Sequence, residues 1–141
     1  MKQHFCTYKQ SEALKELGFD EECLAFYDAY NGGTYLFFES RRRYRFPFNI
    51  FNKQLTLKDY SNSNIECFEG GNCILAPLKS QAFEFFRDKY NFYHNISTGC
   101  DYINLCYIFE YSKEYLLGNY PSYEEAENAC INKLIEIAKN K

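Results

Sequence analysis

The chain contains three segments in which apolar residues recur at helical spacing. Residues 7–17 begin with a threonine suited to N-capping and are followed by Gly18, at a position where a helix often needs left-handed backbone. Residues 77–90 carry a wide aromatic stripe after a proline in the first turn, and residues 121–139 form the longest amphipathic run. The apolar positions of that run are Tyr123, Ala126, Cys130, Ile131, Leu134, Ile137 and Ala138. The spacing therefore predicts three helices.

Strand-like segments occur in two pairs. Residues 24–30 and 34–39 flank Asn31-Gly32-Gly33, whose tolerance of positive φ is typical of a tight hairpin. Residues 92–97 and 102–111 form the second pair, joined by a turn-forming stretch. In the longer strand of that pair, one face is predicted to form core, and its members are Ile103, Leu105, Tyr107, Phe109 and Tyr111.

The resulting order is helix, hairpin, insertion, helix, hairpin, helix, in which the two halves resemble a degenerate αββ repeat. Because antiparallel hairpins with one apolar face need a cover, we predict an α+β fold in which three helices cover a four- to five-stranded antiparallel sheet. A length of 141 residues suits a single domain. We assign it to residues 1–141, with an irregular insertion at about 40–74.

Composition places the chain among soluble globular proteins. Hydrophobic residues make up 46% and aromatic residues 20% of the chain, and the formal net charge is −3. No apolar run reaches the roughly 20 residues that a bilayer crossing requires, and no secretion signal follows the first residues. We therefore expect a cytoplasmic protein with no membrane contact, whose seven cysteines are free thiols that pack as small apolar groups.

The densest charge cluster lies in the insertion and supplies the candidate binding residues. These are Arg41, Arg42, Arg43, Tyr44, Arg45, Phe46 and Phe48. Guanidinium groups beside aromatic rings suit the phosphates and bases of a nucleotide-like ligand or a nucleic acid. The ordinary alternative is an edge strand or loop that its positive charge protects from pairing with other edges, and protein contact is a third. The net charge of −3 argues against broad nucleic-acid binding.

Other chemistry has weaker support in the sequence. His94, Cys100 and Cys106 lie six residues apart, and Cys67 and Cys73 repeat that gap, whereas structural zinc sites favour cysteines two to four residues apart. The sequence has no phosphate loop, dinucleotide-binding glycine pattern or nucleophile elbow. The adjacent carboxylates Glu21-Glu22 and Glu124-Glu125 point apart on a helix, so they are better explained as solvated charges at helix ends than as an acid–base pair. We therefore predict no metal, no cofactor, no catalytic residue and no enzymatic activity.

Three phrases of the sequence carry a family resemblance. They are TYKQSEALKELGFDEECLAFYD at 7–28, APLKSQAFEFFRDKYNFYHNIS at 76–97 and YEEAENACINKLIEIAK at 123–139. In phrase and order the chain resembles a family of small uncharacterised proteins encoded by phages and prophages of gut Bacteroidetes. The resemblance implies a phage setting inside a bacterial host cell and no particular chemistry.

These observations predict a phage or prophage accessory protein that acts by binding rather than by catalysis. The first expectation is contact with a host component, as in counter-defence, through exposed Tyr and Phe and the segment of residues 41–45. The alternative is a protein that sequesters an anionic nucleotide-like ligand or nucleic acid through residues 41–45. The aromatic stripe at Phe83, Phe85 and Phe86 also leaves a homodimer open.

Overall fold

The computed structural model describes residues 2–30, 33–38, 72–99, 104–110 and 113–141. A short 3-10 helix, Lys2–His4, precedes three α-helices and six β-strands. The α-helices are α1 (Tyr8–Glu16), α2 (Lys79–Tyr90) and α3 (Tyr123–Lys139). The strands are β1 (Ala25–Tyr30), β2 (Gly33–Phe38), β3 (Asn72–Leu75), β4 (Phe92–Thr98), β5 (Asn104–Glu110) and β6 (Lys113–Tyr120). The predicted α+β class is confirmed.

The described strands form two antiparallel sheets of three rather than one sheet of four or five. The first sheet has the order β2-β1-β3 and the second the order β4-β5-β6. The predicted hairpin around residues 31–33 is present, with Tyr30 opposite Gly33. The third strand pairs with the first strand of one hairpin but with the second strand of the other, so the two sheets differ in topology.

The helices begin where the local sequence favours them. Thr7 caps α1 through its hydroxyl, while the Gln10 side chain returns a hydrogen bond to the Thr7 backbone, and Gly18 has the expected positive φ of +87°. Ser122 rather than Pro121 caps α3. None of the described helices is long and apolar enough to cross a bilayer.

One apolar core lies among the three helices and the inner side of the second sheet. Phe86, Phe92 and Leu134 are almost fully buried there, and α3 contacts all three strands of that sheet. Ring contacts such as Phe86 on Phe92, with centroids 6.5 Å apart, fill space that aliphatic side chains fill in most proteins. A smaller cluster around Phe5, Ala25 and Ala76 lies on the first sheet.

The predicted core face of β5 is wrong. Asn104, Cys106 and Ile108 are buried, whereas Leu105 and Tyr107 are half-buried and Phe109 is exposed. Ile103 and Tyr111 lie outside the described residues. Both faces of β5 are rich in apolar residues, so period-two alternation could not decide between them, and packing against α3 decided it instead.

Strand β6 was not predicted from the sequence. Its residues KEYLLGNY do not alternate, because a β-bulge inserts Leu117 between the pairs Tyr107–Leu116 and Cys106–Gly118. Leu117 faces the core cluster while its neighbour Leu116 stays exposed, and the bulge places Gly118 opposite the buried Cys106.

Candidate functional site

The binding residues predicted from the sequence cannot be placed. All of them, Arg41, Arg42, Arg43, Tyr44, Arg45, Phe46 and Phe48, lie outside the described residues. The nucleotide-binding hypothesis therefore stays a prediction, and the candidate site developed below lies on other elements.

The second sheet presents one face away from the helices, which we call the outer face. Paired residues of antiparallel strands point to the same side, so the register assigns each position to a face. The outer face has nine positions in three rows, namely Tyr93, Phe109 and Glu114; Asn95, Tyr107 and Leu116; Ser97, Leu105 and Asn119. The opposite side, with His94, Cys106 and Ile108, packs on α2 and α3.

Large apolar side chains on the outer face are open to solvent. Leu116 is 61% exposed, Tyr93 53% and Phe109 37%, and none of them belongs to either core cluster of the described residues. The rings of Tyr107 and Phe109 stack with centroids 6.3 Å apart at an interplanar angle of 18°. Contiguous exposed apolar surface of this kind commonly marks an interaction site.

The charges on the outer face limit the classes of ligand that it can bind. Glu114 is the only charged residue among the nine positions, and none of the nine is a lysine or arginine. Phosphate backbones require cations, so stacking rings without cations and with one carboxylate do not suit a nucleic acid. The face suits an apolar protein surface, whose binding requires no charge neutralisation.

The inner side of the same sheet fixes its position against α2. His94 stacks on Phe83 of α2, with ring centroids 3.7 Å apart and planes within 13°. Burial of one side of the ring lowers the pKa of His94, and the nearby Arg87 guanidinium lowers it further. This imidazole is therefore a neutral packing group near neutral pH.

A second candidate is a cavity of about 330 Å³ at the start of α2. It is lined by His4, Leu78, Lys79, Ser80 and Glu127. Lys79 is only 3% exposed, and its ammonium donates to the Glu127 carboxylate at 3.3 Å. Because that carboxylate neutralises the ammonium, the pair has no net charge with which to attract an ion, and it ties α2 to α3.

The described cysteines are all buried, and the hydrogen bond from Cys130 lowers the pKa of Cys106. Burial raises the pKa of Cys6 and of Cys23 to about 12, so both are protonated thiols at neutral pH. Cys130 donates a hydrogen bond to Cys106, and that bond together with burial raises the pKa of Cys130. Of the residues with a spacing of six, Cys67 and Cys100 lie outside the described residues, and no group of three metal-binding side chains occurs within the described ranges.

Comparison with known proteins adds no second line of argument. Neither the family models nor the curated proteins nor the solved structures include a match to this chain. The interpretation of the site therefore depends on its geometry alone.

The sequence held one signal that could have revealed the outer face. Leu105, Tyr107 and Phe109 alternate along β5, and sequence reasoning grouped them correctly on one side but assigned that side to the core. The sequence did not predict β6, the second neighbour of β5, whose Leu116 lies on the outer face and completes the apolar surface. A strand with apolar residues on both faces indicates two contacts, one of which here is α3.

Proposed function

We propose that the protein is a non-catalytic binding protein that contacts a protein of the host cell through the outer face. The observation that carries this proposal is the exposure of Tyr93, Phe109 and Leu116 on one side of one sheet. A few residues, aromatic ones prominent among them, supply most of the binding energy at protein interfaces, and their neighbours exclude water from them.

The proposed setting follows from the sequence rather than from the fold. Resemblance to proteins of phages and prophages favours an accessory factor that works in the bacterial cytoplasm, and counter-defence is one such role. A rigid sheet suits it, since side chains on paired strands are positioned before binding and lose little conformational freedom.

A comparison of tagged baits tests the proposal. Wild-type protein, Leu116→Lys and a control variant, Leu24→Lys, are incubated with lysate of the bacterial host, and bound proteins are quantified by mass spectrometry. Leu24 is 48% exposed but lies outside the outer face, so the control adds the same charge elsewhere. We expect a specific protein on the wild-type and control baits, reduced at least about tenfold on Leu116→Lys, because a charge is desolvated at the contact.

The proposal also specifies the results that contradict it. A protein retained equally by wild-type and Leu116→Lys baits would place its contact on another surface. Repeated recovery of no specific protein by the wild-type bait would also count against the proposal. Circular dichroism of each variant excludes misfolding as the cause of a lost contact.

A further inference from the structure

We propose that, when no other partner is bound, the outer face is occupied by a second copy of the chain, with the two sheets stacked about a two-fold axis parallel to the strands. This inference rests on the proposed function, because it names the occupant with which a host protein must compete. The two copies contribute the same nine positions, as an isologous interface requires.

Under this two-fold axis, each row of the outer face lies over the same row of the second copy. The axis lies along the central strand β5, so β4 of one copy lies over β6 of the other. In the central column Leu105, Tyr107 and Phe109 each meet the same residue of the second copy, which stacks ring on ring and aliphatic on aliphatic. Aligned sheets pack in this way with a twist of about 30°.

Under the same axis the first and last rows bring polar groups together at the margins of the face, whereas in the middle row Asn95 of one copy comes over Leu116 of the other. Tyr93 lies in the row of Glu114 but on the opposite strand, so its hydroxyl comes over Glu114 of the second copy and can donate to that carboxylate. Ser97 comes over Asn119 in the same manner. The two Glu114 carboxylates are separated by the width of the sheet, about 10 Å for two strand spacings, so they do not repel each other closely.

The size of the face predicts a weak and reversible dimer. Three strands of about seven residues cover roughly 14 by 23 Å, so two such faces cover roughly 640 Å² in projection when stacked. That area is at or below the lower limit for specific interfaces. A weak dimer shields apolar surface from water and still releases it to a tighter partner.

Sedimentation equilibrium of the full chain, from micromolar to millimolar concentration, tests the dimer. The main variant is Phe109→Lys, which places an ammonium on the two-fold axis against its own copy. Within one chain the new lysine lies opposite Glu114, so the variant adds an attractive cross-strand pair to the monomer. We expect the dimer dissociation constant to rise at least about tenfold for Phe109→Lys.

Two further variants make the test specific. Tyr93→Phe removes the hydroxyl that the arrangement requires and is expected to raise the dissociation constant about fivefold. Leu24→Lys carries the same added charge as the main variant away from the face and should leave the constant unchanged. Should Phe109→Lys fail to fold, Leu116→Lys replaces it, because Leu116 is 61% exposed.

A wild-type chain that stays monomeric at every concentration overturns the inference, as does a dimer that the outer-face variants do not weaken. The results also distinguish a failure of the dimer from a failure of the proposed function. A monomer whose outer-face variants lose a host protein sinks the dimer alone, whereas a dimer with the expected variant effects and no host protein sinks the proposed function alone.

Discussion

His94 illustrates how one residue can depend on two elements at once. Its ring lies flat on Phe83 of α2 while its backbone belongs to β4, so it joins helix and sheet through a stack rather than a hydrogen bond. Arg87, one turn further along α2, adds a positive charge nearby. Both features favour the neutral imidazole in the folded state.

The lowered pKa of His94 predicts loss of stability in acid. The unfolded chain takes up the proton near the ordinary value of 6.5 and the folded chain only at lower pH, so the contribution of His94 is complete above 6.5 and declines as pH falls below it. We expect the free energy of unfolding, from urea titrations between neutral and mildly acidic pH, to fall more steeply for wild-type protein than for His94→Asn. Parallel pH profiles would contradict this prediction.

Individual elements differed in how far the sequence predicted them. Helices were predicted well because Thr7 and Gly18 act locally, on backbone groups within one turn of themselves. The core face of β5 and the existence of β6 depend on contacts with α3 and on a bulge, both remote in sequence from the residues concerned. Local patterns carry no information on such contacts.

The ion pair of Lys79 and Glu127 is the clearest tie between two elements. It joins the first turn of α2 to α3, and Lys79 has almost no solvent contact. A buried ammonium group depends on its paired carboxylate, because removing the charge from water costs more free energy than the surrounding packing offsets.

Removing one member of this pair should therefore be worse than removing both. We expect Lys79→Met to lower the free energy of unfolding by about 2 kcal/mol, since Glu127 is left half-solvated and unpaired. The double variant, Lys79→Met with Glu127→Met, should recover to within about 1 kcal/mol of wild type. Urea titrations of the wild type and three variants complete the cycle, and strictly additive losses would refute the coupling.

At the scale of the whole molecule, the two sheets are joined through α1. The main contact between the first sheet and other elements of the described chain is β3 against α1, and α1 in turn contacts α3. Gln10 fixes that second contact. Its amide donates to the Asn132 side chain at 2.9 Å and to the Asn128 carbonyl, while its oxygen accepts from the backbone N–H of Thr7.

A weaker contact between α1 and α3 should therefore allow the first sheet to unfold locally before the second. We expect Gln10→Leu to lower the free energy of unfolding by about 1–3 kcal/mol, because three partly buried hydrogen bonds of the buried Gln10 side chain are lost. In hydrogen exchange, amides of β1 and β3 should lose protection in this variant while those of β4 and β5 keep most of theirs. Equal loss in both sheets would show that the molecule opens as a single unit.

The division into two sheets was beyond prediction from the sequence for a related reason. β3 lies at the end of the predicted insertion of residues 40–74 yet pairs with β1, across more than forty intervening residues. Its Leu75 lies opposite Phe26, and both pack in the main core, so no local turn selects this pairing. The outer face could not be predicted for the same reason, because it is exposed only since the helices cover the other side of the second sheet. Composition did predict the abundance of rings but not which of them stay exposed.

The bulge at Leu117 and Gly118 affects whether further strands can add to the edge of the second sheet. A sheet edge with regular spacing of its amides invites further strands, and chains that present two such edges assemble without limit into fibres. Here the irregular edge of β6 interrupts the hydrogen-bonding ladder, with φ of +119° at Gly118. Strand addition along this edge is thereby discouraged, although the chain is rich in tyrosine and phenylalanine.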